Sequence, residues 1–222
     1  MDKKLQGGSM VNIRNEAAAD YKKVEEFTRR AFYNLYVPGC FEHYLVHIMR
    51  GHKDFITELD FIIEEDSRVI GNIMYTKARL IDEEGNEKNI LTFGPFCIDP
   101  EYQRKGYGRK LINYSFEKAA ALGYDVIVIF GDPRNYTKYG FKSCKRYNVT
   151  VGEGLFPAAM MVKELKEGVL DGRRWFYHQS PLYELDLQAA EKYDESLEKM
   201  EKKVLPCQEE FYILSQAFLS GE

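Results

Sequence analysis

The sequence predicts an α+β fold in which a mixed, mostly antiparallel sheet is flanked by helices. Residues 60–98 contain β-prone runs separated by short polar turns, and strands joined by turns of this length pair antiparallel. Apolar residues recur at helical spacing from Leu111 to Leu122, between the strand-like runs 90–98 and 126–130. A strand–helix–strand crossover of this length makes those two strands parallel, so the predicted sheet is mixed.

The first part of the chain predicts one strand and two helices. Residues 11–15 form a short alternating strand. A helical stripe that runs to Phe32 follows Asp20, a residue type that favours the N-cap position. The breaker pair at Pro38 separates this helix from a second helical pattern over residues 41–49.

Three hairpin strands are predicted next. They are connected by a turn at Asp66-Ser67 and by a polar, glycine-containing turn over residues 82–87. The third strand ends at Asp99-Pro100, because proline cannot donate to a sheet ladder and restricts the residue before it. The predicted strands cover residues 60–65, 69–81 and 90–98.

The later elements complete the predicted sheet. Gly123 occupies the C-cap position of the crossover helix. The continuous apolar run 126–130 predicts a strand that is buried on both faces. Gly131-Asp-Pro ends that strand, and residues 135–139 form a brief helical turn. A last hairpin is predicted from residues 145–151 and 160–165.

The composition indicates a globular protein and excludes several classes of partner. Of the 222 residues, 45% are apolar and 30% are charged, which is ordinary for a globular domain. The net charge of −4, with both signs interspersed, implies neither nucleic acid nor a membrane surface as a partner. No apolar run approaches the roughly 18 residues that a membrane span needs. The four cysteines lack paired spacing, which favours reduced thiols in a cytoplasmic protein over a disulfide scaffold or a metal site.

We expect a flexible leader or tag remnant, then one domain, then a C-terminal extension packed on the domain. The leader has no apolar signal region, and Met10 is the expected natural start. The extension contains an aromatic strand-like segment at Trp175 and helices that open at Asp186 and Pro206. We expect it to cover a sheet edge, with a substrate wall or a dimer surface as alternatives, so the protein is a monomer or a homodimer. The three segments are residues 1–9, 10–166 and 167–222.

A basic turn between the third hairpin strand and the crossover helix has the layout of an anion site. Gly106 and Gly108 allow the backbone to bend or let a ligand approach, and free N–H groups at a helix start suit a phosphate. The turn lacks the glycine spacing and the Lys-Ser/Thr pair of a nucleotide-hydrolase phosphate loop. It also lacks the third glycine of the dinucleotide fingerprint, because that position is Leu111.

Two motifs resemble those of the GNAT N-acetyltransferase superfamily. The turn Gln103-Arg104-Lys105-Gly106-Tyr107-Gly108, preceded by Cys97-Ile98-Asp99-Pro100, matches the coenzyme A signature Q/R-x-x-G-x-G/A. The segment from Gly131 to Phe141 resembles the family's Tyr-x-x-x-Gly-Phe motif, with Tyr136 as its tyrosine. The element order over residues 11–165 is also similar to that of the family, whose sheet splays between the two parallel strands. The Gly-Asp-Pro variant is similar to a branch of bacterial acetyltransferases.

The resemblance implies an enzyme that moves an acetyl group from acetyl-CoA to a primary amine of a small molecule or peptide. It implies direct attack in a ternary complex, and no metal is expected. Tyr136 matches the catalytic position that hydrogen-bonds the departing sulfur, while backbone groups of the strand would hold the pantetheine and thioester. The residues implied to bind the cofactor are Cys97, Ile98, Gln103, Arg104, Lys105, Gly106, Tyr107, Gly108 and Arg109.

Several alternatives stay open from the sequence. A general base is not singled out, and Asp132, Glu101, Glu83 and Glu84 are candidates by location, as are water relays. His43 and His47 lie one helical turn apart and could join in binding zinc, although no third ligand is nearby. Other functional readings are transfer of a longer acyl group, an oxygen acceptor, or a non-catalytic acyl-CoA sensor or interaction module.

Overall fold

A computed structural model describes residues 9–220. The strands are β1 (Val11–Asn15), β2 (Phe61–Glu65), β3 (Arg68–Asp82), β4 (Glu87–Ile98), β5 (Val126–Phe130), β6 (Lys142–Ser143), β7 (Val149–Thr150), β8 (Phe156–Pro157), β9 (Met160–Glu164), β10 (Trp175–His178) and β11 (Phe218–Leu219). The helices are α1 (Tyr21–Phe32), α2 (Glu42–Met49), α3 (Tyr107–Ala121), α4 (Pro133–Tyr136), α5 (Leu187–Glu195) and α6 (Pro206–Gln216). The predicted leader lies outside the described residues except for Ser9.

The central sheet is mixed and mostly antiparallel, as predicted. Its strands follow the order β1-β2-β3-β4-β5-β9-β6, and β10 joins it through β3 and β7. The β4–β5 pair is parallel, because α3 carries the chain from one strand to the other. The remaining neighbours along the main order are antiparallel.

The long hairpin of β3 and β4 forms the centre of this sheet. Its turn is held by Asp82, whose carboxylate accepts the N–H groups of Glu84 and Asn86. This arrangement satisfies backbone donors that the sheet leaves free at the turn. The sequence prediction of a hairpin with a polar turn is therefore confirmed.

Helices cover both faces of the sheet. On one face, α1 and α2 contribute Val24, Phe27, Val46 and Met49 to a core shared with Ile62 of β2. On the other face, α3 contributes a second apolar stripe: Leu111, Ile112, Phe116 and Ala119. The sheet is thus buried on both sides, which explains the continuous apolar run of β5.

Asp20 does not act as the predicted side-chain cap of α1. Its carboxylate instead accepts two hydrogen bonds from Arg14, at 2.6 and 3.0 Å, and one from the N–H of Ala17. The guanidinium is the stronger donor, because a charged hydrogen bond is about twice as strong as a neutral one.

The predicted final hairpin is wrong in its pairing. Residues 149–150 form β7, which pairs in parallel with β10 and not with β9. The partner of β9 beyond β5 is β6, at Lys142 and Ser143. β10 is held beside β7 by two bonds of buried Trp175: its backbone N–H donates to the Asn148 carbonyl at 2.9 Å, and its carbonyl accepts the Thr150 hydroxyl at 3.1 Å.

The C-terminal residues are tied to the sheet and to α1. β10 pairs with β3 beyond the stretch that β2 covers. α5 begins at Asp186, whose side chain caps two N–H groups, as predicted. It docks through a buried ion pair in which Arg29 Nε donates to Asp194 Oδ1 at 2.7 Å. α6 begins at Pro206, also as predicted.

No helix within residues 9–220 has the length and apolar character required to cross a membrane.

Candidate active site

The sheet opens between β4 and β5. The two strands pair at Leu91 and Ile127, and the described residues contain no further β4–β5 pair. β4 then continues to Ile98 along β3, whereas β5 continues to Phe130 along β9. The carboxyl-terminal halves of the two parallel strands therefore diverge and expose strand edges to a cleft. An extended ligand can pair with such an edge.

The cleft has a volume of about 880 Å³ and contains every residue predicted for the cofactor and for catalysis. Strand β4 supplies Cys97 and Ile98, the following turn supplies residues 103–109, and α4 supplies Tyr136. The sequence motifs did not identify the opposite wall, which comes from the end of α1 and the loop behind it: Ala31, Phe32, Leu35 and Tyr36.

The turn before α3 presents free backbone donors to the cleft. Arg104 and Gly106 have positive φ angles of 63° and 90°, which turn the chain sharply into the helix. Within residues 9–220, the N–H groups of residues 104–109 have no hydrogen-bond acceptor. A helix N-terminus with open N–H groups attracts anions.

Basic side chains surround these donors. Among the described residues, no carboxylate lies within 4.0 Å of the charged group of Arg104, Lys105, Arg109 or Lys110. Their charge is therefore available to a ligand. Gln103 has a different task, because its side-chain amide donates to the Ile98 carbonyl at 3.0 Å and fixes the turn to β4. The free donors and the free cations together fit a diphosphate.

The Cys97 thiol is not suited to act as a nucleophile. Its thiol donates to Asn72 Oδ1 at 3.3 Å and lies 3.6 Å from Thr28 Oγ1, beneath α1. Burial raises the pKa of this thiol to about 12, so it stays protonated near neutral pH. What Cys97 can offer a ligand is its backbone.

Tyr136 is held over the end of β5 by packing. Its ring lies 5.9 Å from the Phe93 ring and 6.0 Å from the Phe141 ring, centroid to centroid. A Cβ atom on Gly131 would lie only 2.7 Å from Tyr136 Cε2, so glycine is required for the ring to occupy this place. Burial raises the pKa of Tyr136 above its ordinary value. No described residue bonds its hydroxyl, which is a free, protonated donor.

The four carboxylates proposed as bases are unsuited by their surroundings. Asp132 caps α4 and accepts from Arg134 Nε at 2.9 Å, and this bond lowers the pKa of Asp132. Glu101 is exposed and contacts Arg68 at 3.0 Å. Glu83 and Glu84 lie in the β3–β4 turn, and both are exposed. None of the four lines the cleft.

His43 and His47, the two candidate zinc ligands, pack against α5. Both imidazoles pack on the Tyr193 ring, at 5.5 Å for His43 and 4.6 Å for His47. His43 is buried, and its Nδ1 lies 3.3 Å from Cys40 Sγ. Burial raises the pKa of Cys40 and lowers that of His43 to about 4, so this pair is neutral and does not form an activated thiolate. The described part of the chain holds no group of three or more metal-ligating side chains.

Comparisons with known proteins agree with this geometry. Residues 58–143 match the family model of the acetyltransferase (GNAT) domain. The chain is similar to the N-acetyltransferase YhbS of Escherichia coli K12, with 24% identity over 160 residues that cover 72% of this chain and 90% of YhbS.

Two solved structures share the fold. A crystal structure of Escherichia coli YhbS in complex with CoA superposes with a TM-score of 0.70 at 20% identity, over 83% of this chain and 97% of that one. A GNAT family acetyltransferase from Brucella melitensis in complex with acetyl-CoA gives a TM-score of 0.60 at 22% identity, over 78% and 98%. Residues 58–143 thus match the acetyltransferase (GNAT) domain, and the chain shares the fold of these two GNAT family structures.

Proposed function

We propose that the protein transfers an acetyl group from acetyl-CoA to a primary amine of a small molecule or peptide. The observation that carries the proposal is one cleft with free diphosphate donors at one end and the free Tyr136 hydroxyl further in. The CoA and acetyl-CoA complexes of the two structural relatives support the identity of the donor.

The turn before α3 would hold the diphosphate of the cofactor. The N–H groups of residues 104–109 would donate to its oxygens, and Arg109 would add a charge-assisted contact. The open edge of β4 at Cys97 and Ile98 would pair with the pantetheine. When bound, acetyl-CoA supplies an acyl group activated as a thioester. A fixed N–H on β4 suits the charge that develops on the acyl oxygen.

Tyr136 would donate a hydrogen bond to the leaving sulfur. A phenol of ordinary pKa about 10 is a weaker acid than a thiol of pKa about 8.5, and burial of Tyr136 widens that gap. Full proton transfer to the sulfur would therefore run uphill. Hydrogen-bond donation is the role that the environment of Tyr136 favours.

Direct attack of the amine is preferred to a covalent enzyme intermediate. Cys97, which lines the cleft, and Cys40 are both buried, and burial raises the pKa of each thiol. A thiolate nucleophile requires the opposite shift.

The test replaces Tyr136 by Phe and measures thiol release and CoA binding separately. We expect kcat to fall about 10- to 100-fold, whereas the Kd for CoA stays unchanged, because the hydroxyl acts on a charge that develops during the reaction. Tyr124→Phe, outside the cleft, is the matched control and should behave as wild type. Tight CoA binding without thiol release from any amine would instead favour a non-catalytic sensor.

A further inference from the structure

Helix α6 lies on the surface and does not build the core. None of its 11 residues, Pro206–Gln216, is buried. Helices in proteins owe most of their stability to an apolar face that packs on a core, and an isolated helix of this length is marginal in water. α6 is held instead by contacts at its two ends and by two side chains between them.

The first end of α6 is anchored to the loop that follows α1. Asn34, in that loop, has a left-handed backbone with a φ angle of 62°, and its side-chain amide donates to the Glu201 carbonyl at 2.9 Å. Its side-chain oxygen accepts the N–H of Lys203 at 3.0 Å, and its backbone carbonyl accepts from Gln208 Nε2 of α6 at 3.1 Å. Tyr36, two residues after Asn34, lines the cleft. The start of α6 is therefore fixed to one wall of the cleft.

The far end of α6 is anchored beside the end of β5. The strand that follows the helix, β11, pairs with β8, and the Ala217 carbonyl accepts the N–H of Ala158 at 2.9 Å. The carbonyl of the next residue, Ala159, accepts the N–H of Gly131 at 3.0 Å. Gly131 is the residue against which the Tyr136 ring lies. The end of α6 is therefore fixed to the other wall of the cleft.

Two side chains of α6 contact these walls between its ends. The Phe211 ring lies 4.4 Å from the Tyr36 ring, centroid to centroid, and Glu210 contacts Arg134 at 3.4 Å, two residues before Tyr136 in α4. The ring pair is the stronger of the two contacts, because both charged side chains are exposed to water. Phe211 lies behind the cleft wall, so it acts on the cleft through Tyr36.

We propose that α6 is a strap that holds the loop wall of the cleft against α4 and the end of β5, and that it opens to admit the acceptor and so limits acceptor size. Phe211 then serves as a positioning residue, because its ring fixes Tyr36. A segment with few buried contacts opens locally with less free energy than the core. The strap itself does not depend on the reaction, whereas selection among amines rests on the acyl transfer proposed above.

Backbone hydrogen exchange, measured by NMR on the full chain, tests the strap without turnover. In Phe211→Ala, the bonded N–H groups of Asn34 and Leu35 should exchange at least about 10-fold faster than in wild type, because Tyr36 loses its packing partner. Tyr212→Ala is the matched control, since it removes from the same helix a ring that is 60% exposed, and the loop should exchange at the wild-type rate. Unchanged loop exchange in Phe211→Ala would overturn the strap.

Asn34→Gly tests the anchor without any change in α6 itself. Glycine tolerates the left-handed backbone at this position, so the variant loses only the side-chain bonds to Gly39 and to residues 201 and 203. We expect the N–H groups of α6 to exchange at least about 10-fold faster, because one end of the strap is released. Wild-type exchange throughout α6 would overturn this anchor and the strap with it.

Selection by size is tested with two primary amines, ethylamine and phenethylamine. In Phe211→Ala, kcat/KM for phenethylamine relative to that for ethylamine should rise about 10-fold or more, because the released wall yields to the larger amine. Tyr212→Ala should keep the wild-type ratio. A merely structural loss in Phe211→Ala would lower both values together, and an unchanged ratio would overturn selection by size.

The two kinds of measurement separate the strap from the reaction. If loop exchange changes as predicted but wild type acetylates no amine, acyl transfer and selection by size are overturned together, and the strap stands. If wild type acetylates amines while loop exchange is the same in Phe211→Ala, the strap is overturned and acyl transfer stands.

Discussion

Replacing Gly131 by Ala tests whether the position of Tyr136 matters for turnover. The added Cβ would lie 2.7 Å from Tyr136 Cε2 and 3.2 Å from Cδ2, whereas ordinary contacts begin near 3.4 Å. The ring must therefore retreat by about 0.7 Å. Phe93 and Phe141 pack against the Tyr136 ring and limit how far it can move. Because a misplacement of about 1 Å can cost about 100-fold in rate, we expect kcat to fall about 10- to 100-fold.

The assay is steady-state thiol release, with CoA binding measured in parallel. Gly51→Ala is the matched control, since its Cβ would meet nothing closer than 3.9 Å. A double-mutant cycle separates displacement from general damage. In a Tyr136→Phe background the hydroxyl is already gone, so Gly131→Ala should add little to the loss. If the double variant loses kcat by the product of the two single-variant factors, or if Gly131→Ala keeps the wild-type kcat, the link between this glycine and the tyrosine hydroxyl is refuted.

Two further predictions concern stability. Asp60 is buried beside Glu16, and burial and the neighbouring charge raise its pKa, so the folded state holds a proton that the unfolded chain loses above about pH 4. The wild-type free energy of unfolding should therefore decline as pH rises from about 5 to 7. In urea unfolding, the free energy of unfolding of Asp60→Asn relative to wild type should grow by up to about 1.4 kcal/mol per pH unit over this range. A difference between variant and wild type that does not change with pH would contradict this assignment. Asp194→Ala leaves Arg29 buried without its partner and should cost about 3–5 kcal/mol of unfolding free energy, and a loss below about 1 kcal/mol would mean that the ion pair does not hold α5.

Sequence patterns predicted the parts of this protein that depend on local signals. The apolar stripe of α3 has a helical period, and β5 is a continuous apolar run. Gly106, in the turn, meets a local backbone requirement, because its φ angle is positive. The motif order placed Tyr136 and the turn at one cleft, because parallel strands joined by a helix end at the same edge of a sheet.

Features fixed by distant contacts were not predictable in this way. β7 has only two residues, too few for a hydrophobic period, and its partner β10 lies far along the chain. Tyr36 lines the cleft but lies in a segment without a motif. The ring of Tyr36 packs on Phe211 of α6, so this wall of the cleft became visible only in three dimensions.

The most direct test of acyl transfer at this cleft is detection of the amide product. Purified protein is incubated with acetyl-CoA and a panel of primary amines, and the mixture is examined by mass spectrometry for an N-acetylated amine. We predict an amide that forms with wild type, forms far more slowly with Tyr136→Phe, and accompanies thiol release mole for mole. Binding of acetyl-CoA without any amide, across the whole panel, would contradict the account.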